Sequence, residues 1–371
     1  MNKILDIYIS KANEPENEAY ASLSLPAMPY ELFDALDKAR ILQGDESSFE
    51  ITEYHAFECM EPFISESGSV LELNALCQKL SELDERQGIA FEGLVKAEIE
   101  KKTGAISIGR LIDLAFSADC CHVVCEAIND ESLGNFYAEN GFVPAVEVLP
   151  DSIYKMLNFA YIGKEMREGE GGVFTSGGYV VQHTDLVEAY KDMTFTMRTP
   201  DYQILLEDMQ GNRFELPQQA LAHDGEYACL DCRVPQLMAA IDTADLKSVN
   251  DFAEMLQGMG DKTMRKYKAM LSAIGCESLE DAVEIAGHMD DYLYEESVTS
   301  SRDAAMGELT FMLDKKDADL LAQYTNLHGY GQAIMARDNS AITPYGLLER
   351  EDHQPLQSLQ EQKPCMGMEM S

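Results

Sequence analysis

LNFAYIGKEM (157–166) is followed 168 residues later by TNLHGYGQAI (325–334). The two segments share an asparagine at their second position and a glycine at their seventh. A match at a constant offset is the signature of an internal repeat. We therefore expect the fold to be a module that occurs twice.

Further matches extend the repeat toward the middle of each copy. LNALCQKLSEL (73–83) aligns with VNDFAEMLQGM (249–259) at an offset of 176. IGRLIDLAFSAD (108–119) aligns with LEDAVEIAGHMD (279–290) at an offset of 171. In each segment apolar residues recur at helical spacing and leave the opposite face polar. This pattern predicts amphipathic helices at the same places in both copies.

The front of each copy matches less closely. YASLSL (20–25) resembles YACLDC (227–232), and a predicted helix follows each of them, at 30–39 and at 235–244. TFTMRTPDYQILLED (194–208) alternates in the manner of an edge strand. We predict that this strand begins the second copy.

The rear of each copy combines a glycine with a closing hairpin. Gly134 aligns with Gly307, and GGVFTSGGYV (171–180) aligns with NSAITPYGLL (339–348). The glycine-rich stretch lacks the lysine and the Ser/Thr position of a phosphate-binding P-loop. We therefore interpret its glycines as turn residues of a hairpin.

These matches predict an α+β chain of two related modules, each with small antiparallel sheets and several helices, in an elongated overall shape. The first module is placed at 1–185 and the second, which is more diverged, at 186–352. The last residues, 353–371, show no clear period and are predicted to form a disordered tail.

Acidic residues outnumber basic ones throughout the chain. The 371 residues include 66 acidic and 28 basic side chains, a formal net charge of −38, while 46% of the residues are apolar. Residues 1–185 hold 33 acidic and 13 basic side chains, and residues 186–371 hold 33 and 15. The apolar content is that of a folded protein, but the charge costs stability through self-repulsion. A basic partner surface is the functional explanation of this charge, and solubility is the plain one.

The same charge argues against several classes of protein. A nucleic-acid-binding face needs basic residues, and the nearest basic group is KYK (266–268) with Arg265. Acidic membranes would repel the chain, and no stretch reaches the ~18 apolar residues of a transmembrane helix. The N-terminus turns polar too early for a secretory signal. We expect a cytoplasmic protein that binds neither nucleic acid nor membrane directly.

The sequence shows no convincing catalytic or metal-binding pattern. The nine cysteines should be reduced in the cytoplasm, and CCHVVC (120–125) and the pair Cys229 and Cys232 are interpreted as buried side chains. LGNFYAENGF (133–142) resembles a segment of the GNAT acetyltransferases, but the loop that would hold the pyrophosphate of acetyl-CoA is missing. We expect no enzymatic activity, no cofactor and no metal.

The candidate functional residues are therefore acidic side chains. Adjacent acids on a helix point apart, so a solvated face is the plain interpretation and a partner-binding face the functional one. The candidate surface consists of Glu82, Asp84, Glu85, Glu92, Glu98, Glu100, Glu165, Glu168, Asp281, Glu284, Asp290, Asp291, Glu295 and Glu296.

The charge is large enough to imitate a nucleic acid. B-DNA carries one charge per ~1.7 Å of its axis, so the net charge of −38 corresponds to roughly 65 Å of duplex, or about 19 base pairs. Two modules arranged end to end could present a surface of that length.

Residues 132–181 resemble the C-terminal part of the ArdA antirestriction proteins. The similarity lies at Leu133, Gly134, Pro150, the NFAYIGKEM segment (158–166), Gly178 and Tyr179. VLELNALCQKLSELDE (70–85) is similar to the central helix of that family. The resemblance implies an acidic, elongated protein that mimics bent DNA and occupies the DNA groove of type I restriction-modification enzymes without catalysis.

This chain departs from the ArdA pattern because it holds two copies. We hypothesise that one chain does covalently what an ArdA dimer does by association. Two alternatives stay open: an inhibitor of a CRISPR nuclease, and an acidic adaptor that binds a basic protein through ordinary contacts. Further pairing of two chains also stays open.

Overall fold

The computed structural model describes residues 2–12, 19–41, 45–64, 69–101, 106–219, 221 and 225–356. Within these ranges the chain forms fifteen α-helices and four antiparallel sheets of three strands each. The predicted α+β class with small antiparallel sheets is confirmed. Residues 353–356 belong to no helix or strand, and the rest of the predicted tail lies outside the described residues.

The two halves of the chain contain similar series of elements. The first half contains β1 (Leu5–Lys11), β2 (Tyr20–Leu25), α1 (Pro29–Lys38), β3 (Ser47–Tyr54), α2 (Val70–Ser81), α3 (Glu85–Glu100), α4 (Ile108–Phe116), β4 (Cys121–Cys125), α5 (Asp130–Glu139), α6 (Pro144–Glu147), α7 (Asp151–Tyr154), α8 (Phe159–Glu170), β5 (Val173–Phe174) and β6 (Gly178–Gln182). The second half contains β7 (Ile204–Asp208), β8 (Arg213–Leu216), β9 (Tyr227–Cys232), α9 (Met238–Thr243), α10 (Leu246–Gln257), α11 (Asp261–Ile274), α12 (Leu279–Gly287), β10 (Tyr292–Glu295), α13 (Ser301–Met312), α14 (Lys315–Ala322), α15 (Leu327–Asp338), β11 (Ala341–Thr343) and β12 (Gly346–Arg350).

The sheets of the two halves have the same arrangement. The front sheets have the strand orders β2-β1-β3 and β8-β7-β9, and the rear sheets have the orders β4-β6-β5 and β10-β12-β11. The predicted closing hairpins are confirmed as the antiparallel pairs β5–β6 and β11–β12. Gly178 and Gly346 begin the last strand of each half with φ angles of 153° and 150°, which L side chains rarely adopt.

The prediction that 194–208 forms an edge strand is wrong. Strand β7 covers only the end of that segment and lies in the centre of its sheet, between β8 and β9. Ile204, Leu205 and Leu206 are consecutive and all buried. A continuous apolar run suits a strand that is covered on both faces, whereas an edge strand with one wet face alternates.

The predicted match between the segments that form β2 and β9 is also wrong. The N–H of Ile4 donates to the carbonyl oxygen of Leu25 (2.6 Å), and the N–H of Gln203 donates to that of Leu216 (2.9 Å). These bonds make β8, not β9, the equivalent of β2. The sequence comparison missed this because the second copy has a third strand, and not a helix, directly after its hairpin.

In each half a buried asparagine joins a helix to the segment that directly follows a front strand, β2 or β8. The amide group of Asn74 in α2 accepts from the N–H of Ala27 (2.7 Å) and donates to its carbonyl oxygen (3.1 Å). Asn250 in α10 makes the same two bonds with Gln218, at 2.8 and 3.2 Å. The predicted alignment of these two helices is confirmed, and the shared asparagine has the same role in both halves.

The two residues shared by the opening segments also have matching roles. Asn158 and Asn326 cap α8 and α15, and each accepts a bond of 3.1 Å from the backbone N–H three residues later. Gly163 packs against α5, and Gly331 packs against the start of α13. A Cβ atom at either glycine would overlap a backbone carbonyl oxygen of the facing helix. Close helix packing therefore requires glycine in both copies.

The predicted match of Gly134 with Gly307 is wrong. Asn129 and Ser300 cap α5 and α13 and lie 171 residues apart. This offset places Gly134 over Ala305, and both residues are buried. Gly307 is exposed and has no neighbour where its Cβ would be. Gly134 and Gly307 share a residue type but not a structural role, so residue identity alone misaligns them.

The main helices of both halves bury equivalent side chains. Leu76 and Phe252 are equivalent, as are Phe91 and Tyr267, and all four are almost inaccessible to solvent. The hydroxyl of Tyr267 donates to the carbonyl oxygen of Ala282 (2.7 Å), so its polar atom is satisfied inside the core. The second copy has diverged here without losing its packing.

The chain folds into two compact units whose parts are not contiguous in sequence. Unit 1 consists of Met1–Tyr8, Ser22–Ala27 and Ser47–Met197, and unit 2 consists of Ile9–Ala21, Met28–Glu46 and Arg198–Ser371. Helix α1, which comes from the first tenth of the chain, therefore belongs to unit 2. The boundary predicted at 185/186 comes from the repeat and stays a prediction.

A buried ion pair holds α1 in unit 2. Lys268 of α11 is 3% exposed, and its Nζ lies 2.7 Å from Oδ1 of Asp34, which is 4% exposed. Lys38 lies 2.8 Å from the other carboxylate oxygen, and the hydroxyl of Tyr345 donates to Oδ1 (2.9 Å). Burial alone would raise the pKa of Asp34, but the two lysines outweigh burial and lower it.

A second layer of charges surrounds this pair. Arg265 lies 3.7 Å from Asp37 and 3.0 Å from a carboxylate oxygen of Glu296, although the latter contact lacks the direction of a hydrogen bond. Arg40 donates to the carbonyl oxygen of Glu296 (2.9 Å). Two members of the short basic group noted in the sequence, Arg265 and Lys268, therefore make internal ion pairs.

A buried carboxylate holds the other end of α1. Asp231 is fully buried and accepts hydrogen bonds from the N–H of Tyr30 (3.1 Å), the hydroxyl of Tyr202 (2.7 Å) and the N–H of Cys232 (3.1 Å). Tyr30 lies in the first turn of α1, where a carboxylate is favoured by the helix dipole. Burial nevertheless raises the pKa of Asp231 to about 6, because the described residues offer this carboxylate no ion pair.

We predict that Lys268→Met lowers the free energy of unfolding by about 3–5 kcal/mol, because it leaves Asp34 buried without its closest cation. The neighbouring Lys266→Met is the matched control. Lys266 is half-buried and has no ion pair among the described residues, so its loss should cost about 0.5 kcal/mol or less. Urea unfolding measures both variants. Equal effects of the two substitutions would contradict the role of the buried pair.

We predict that Asp231 makes unit 2 less stable as the pH rises. Its pKa is about 6 when folded and 3.8 ordinarily, so its favourable contribution is complete at low pH and is lost as the pH passes 6. Between pH 5 and 8 the wild type should lose about 1–2 kcal/mol relative to Asp231→Asn. Urea unfolding at four pH values tests this, with the exposed Asp251→Asn as the control. A pH-independent difference between wild type and Asp231→Asn would refute it.

Candidate partner-binding surface

Helix α12 and the 3-10 turn Met289–Asp291 form an acidic surface of unit 2. Helix α12 packs through Leu279, Ala282 and Ile285, which are buried, so the remaining positions face outward. We call the outward carboxylates the α12 acidic face: Glu280, Asp281, Glu284, Asp290 and Asp291. The sequence 277–291 contains no lysine or arginine.

The positions of these acids show which of them can stabilise α12 and which cannot. Glu280 and Asp281 lie in the first turn of α12, where acidic side chains are stabilised by the helix dipole. Glu284 lies near the C-terminal end, and Asp290 and Asp291 lie beyond it, where the dipole disfavours negative charge. These three carboxylates therefore gain nothing from the helix they accompany.

The equivalent face of unit 1 is closed by the chain itself. Arg110 of α4 occupies the place of Asp281, and Asp113 occupies that of Glu284. Oδ1 of Asp113 accepts from the N–H of Tyr190 (2.9 Å), and the hydroxyl of Tyr190 donates to Glu72 (2.8 Å). A segment that follows the rear sheet thus covers α4. On this face of unit 1 the counterpart of Asp290, Asp119, is the exposed acid among the described residues, whereas unit 2 presents several.

Several of the predicted surface acids stabilise their own unit instead. Asp84 accepts from the N–H of Gln87 (2.8 Å) and caps α3. Glu98 accepts from Arg110 (2.8 Å) and Lys101 (3.1 Å), and these hydrogen bonds lower its pKa. Asp84 and Glu98 therefore stabilise the fold of unit 1 in addition to contributing negative charge to its surface.

Other predicted acids have weaker partners. Exposed ion pairs join Glu82 to Lys79 (3.3 Å) and Glu168 to Lys164 (3.8 Å). Pairs of this kind contribute about 0–1 kcal/mol and leave the carboxylates accessible. Glu296 pairs with Arg265 in the layer of charges that surrounds Lys268 and Asp34.

Six predicted acids are exposed and form no ion pair within the described part of the chain: Glu85, Glu100, Glu165, Glu284, Asp290 and Glu295. Asp291 is exposed and lies 2.8 Å from the imidazole of His288. Asp281 is half-buried. Glu92 is half-buried too, and burial raises its pKa, so it is a poorer source of surface charge than its neighbours. The structure thus brings Asp281, Glu284, Asp290 and Asp291 together on one short stretch.

An acid-rimmed cleft of about 760 Å³ lies at one end of the front sheet of unit 2. Of its four acidic residues, Glu226 is exposed and the other three have partners. Glu207 pairs with Arg213 (3.0 Å), and Asp242 accepts from the N–H of Cys229 (2.6 Å). Asp208 accepts from the backbone of its own turn. The cleft adds to the negative charge of unit 2, and its described lining residues do not form a recognisable catalytic arrangement.

The eight cysteines in the described ranges form no disulfide. Burial raises the pKa of Cys229, and it raises that of Cys232 to about 12. A raised pKa disfavours the thiolate that nucleophilic or metal chemistry requires. Their packing in strand β9 agrees with the interpretation as buried side chains. For CCHVVC that interpretation holds for Cys121 but is wrong for Cys125, which is exposed at the end of β4.

A mixed group of possible metal ligands lies in unit 1. One donor atom each from Asp6, Glu53 and His55 lies within 4.8 Å of the other two, and no second group of three was found in the ranges that the structure covers. Sequence reasoning missed these residues because they are 49 positions apart and meet only through pairing of the front strands. It missed Lys268 and Asp231 because the burial of a charged residue depends on distant partners.

None of the described helices is both long enough and apolar enough to cross a bilayer. Neither a scan of the sequence against protein-family models nor a search of curated proteins finds a match.

Proposed function

We propose that the chain is an acidic mimic of DNA that occupies the DNA-binding groove of a defence enzyme, with type I restriction-modification enzymes as the first target class. The observation that carries this proposal is the α12 acidic face. It combines exposed carboxylates, the absence of lysine and arginine from 277–291, and charges that the helix dipole does not favour. A surface of this kind costs stability unless a positive partner uses it.

The distribution of cations supports the same proposal. The basic side chains nearest to the buried core, such as Lys268 and Arg265, are engaged in internal ion pairs. Exposed carboxylates such as Glu85, Glu165 and Asp290 have no such counter-charge in the described ranges. The resemblance of 132–181 to ArdA proteins points to the same class of target, and the repeat supplies the two copies that an ArdA dimer would supply.

Competition with DNA tests the proposal directly. Labelled DNA bound to a type I methyltransferase core is titrated with the protein at two salt concentrations. Displacement should weaken strongly as salt rises, because charge contacts with a DNA-binding groove are screened. Absence of displacement at both salt concentrations would remove type I enzymes as the target.

We predict that charge reversal of Asp281, Glu284, Asp290 and Asp291 together weakens displacement about 10-fold or more, whereas each single amide substitution changes it about threefold or less. The physical reason is that mimicry depends on the summed field and not on one carboxylate. The measurement is the competition midpoint at low salt.

The matched control reverses four exposed acids of unit 1, Glu131, Glu139, Asp151 and Asp185. It changes the net charge by the same amount and should have a smaller effect. If one single substitution accounted for the entire loss, an essential catalytic or anchoring residue would explain the data better than mimicry.

A second candidate function is favoured by a different surface. Phe311 is 89% exposed and Tyr324 is 81% exposed, and Met312, Leu320 and Leu321 are exposed beside them in sequence. Large apolar groups at a surface mark protein contacts when they are clustered. They favour an adaptor that binds a basic protein through ordinary contacts and keeps its affinity at high salt.

We predict that Phe311→Ser with Tyr324→Ser leaves displacement of DNA unchanged within about twofold, because these side chains carry no charge. Both positions are exposed, so stability should change little. The competition assay is repeated at low and high salt. Loss of a salt-resistant interaction in this variant would favour the adaptor over the mimic.

A further inference from the structure

Three donor side chains converge on the front sheet of unit 1. Asp6 lies on β1, Glu53 lies on β3, and His55 follows β3 directly. Nε2 of His55 lies 3.0 Å from Oδ2 of Asp6, and Nδ1 lies 3.8 Å from a carboxylate oxygen of Glu53. An imidazole between two carboxylates is a donor set that divalent transition metals accept.

The backbone fixes these donors before any ligand arrives. The N–H groups of His55 and Ala56 both donate to the carbonyl oxygen of Ile4, at 2.8 and 3.2 Å. Asp6 is two residues from Ile4 on the same strand, so the spacing between the aspartate and the histidine is set by strand pairing. A site built on paired strands loses little entropy when it binds an ion.

One atom of this group lacks a partner. Oδ1 of Asp6 is buried from solvent and accepts no hydrogen bond, while Oδ2 faces the imidazole. A buried carboxylate oxygen without a donor costs free energy. A bound cation beside Asp6 would satisfy this oxygen, which the protein alone does not do.

The second repeat shows that the fold does not require this group. The N–H of Arg233 donates to the carbonyl oxygen of Gln203 (2.9 Å), which repeats the bond between His55 and Ile4. By this register Leu205, Asp231 and Arg233 occupy the places of Asp6, Glu53 and His55. An apolar residue and a cation cannot ligate a metal, so the donor set belongs to unit 1 alone.

We propose that Asp6, Glu53 and His55 bind one divalent transition-metal ion of the zinc or manganese type. One imidazole nitrogen and one oxygen from each carboxylate would be the protein ligands, and water would complete the coordination. The ion would tie β1 to the end of β3 and neutralise part of the negative charge of unit 1. This proposal replaces the sequence-based expectation of no metal, and it does not depend on the proposed function.

Titration calorimetry of the full chain with zinc tests the proposal, with excess magnesium present to occupy exposed carboxylates. We expect wild type to bind one ion more per chain than His55→Asn. His288→Asn is the matched control, because His288 also contacts an aspartate (2.8 Å) but has no second carboxylate within ligand distance in the described ranges. The control should bind as many ions as wild type.

A second variant at an exposed position distinguishes loss of the metal site from misfolding of His55→Asn. Glu53 is 66% exposed, so Glu53→Gln should fold normally and still weaken zinc binding about 10-fold or more. Manganese, which thiols bind poorly, repeats the titration without interference from cysteine. Equal stoichiometry and affinity in wild type, His55→Asn and Glu53→Gln would overturn the proposal.

Discussion

The buried contact between Lys268 and Asp34 ties α1 to α11 within unit 2. Taking both charges out of water costs several kcal/mol each, and this cost is offset only when the remaining bonds are complete. Lys38 and Tyr345 complete them on the aspartate side. Once α1 is held in this way, the segment Met28–Glu46 joins unit 2 although it is encoded before most of unit 1. The place of α1 in unit 2 rests on this pair and on the hydrogen bond from Tyr30 to Asp231 at the other end of the helix.

The same pair clarifies how a chain of net charge −38 remains folded. Lys268 is placed where desolvation makes its attraction to Asp34 strong, while the surface carboxylates are separated by solvent, which weakens their repulsion. Acids in first helical turns gain from the helix dipole, as Glu280 does. Beyond the end of α12, Asp291 contacts the imidazole of His288 (2.8 Å), whereas Asp290 has no ion pair in the described ranges and lies outside the first turn of α12. The carboxylates Glu284 and Asp290, which have neither kind of compensation, distinguish this face from an ordinary solvated surface.

Local patterns were enough to predict the helices, the closing hairpins and the α+β class, because apolar periodicity and glycine turns depend on near neighbours. The shared Asn74 and Asn250 could be aligned for the same reason. The order of the front sheets could not be predicted, because strand pairing is non-local and one copy has a helix where the other has a strand. Which acids are free also depended on distant partners: Glu98 and Glu296 look like Glu100 and Glu295 in sequence, but only the former are paired with arginine.

The membership of α1 in unit 2 has a consequence for synthesis on the ribosome. Asp34 and Tyr345 are 311 residues apart, and translation proceeds at roughly 5–20 residues per second, so the helix waits ~15–60 s for its last partner. Until Lys268 has been translated, Asp34 has only Lys38 of the same helix as a cationic partner, and unit 1 can complete its core first. The order of folding would then be the reverse of the order in which α1 and unit 1 emerge. Unit 2 thus needs a helix that is translated before most of unit 1, so its fold is complete only after both halves of the chain have been translated.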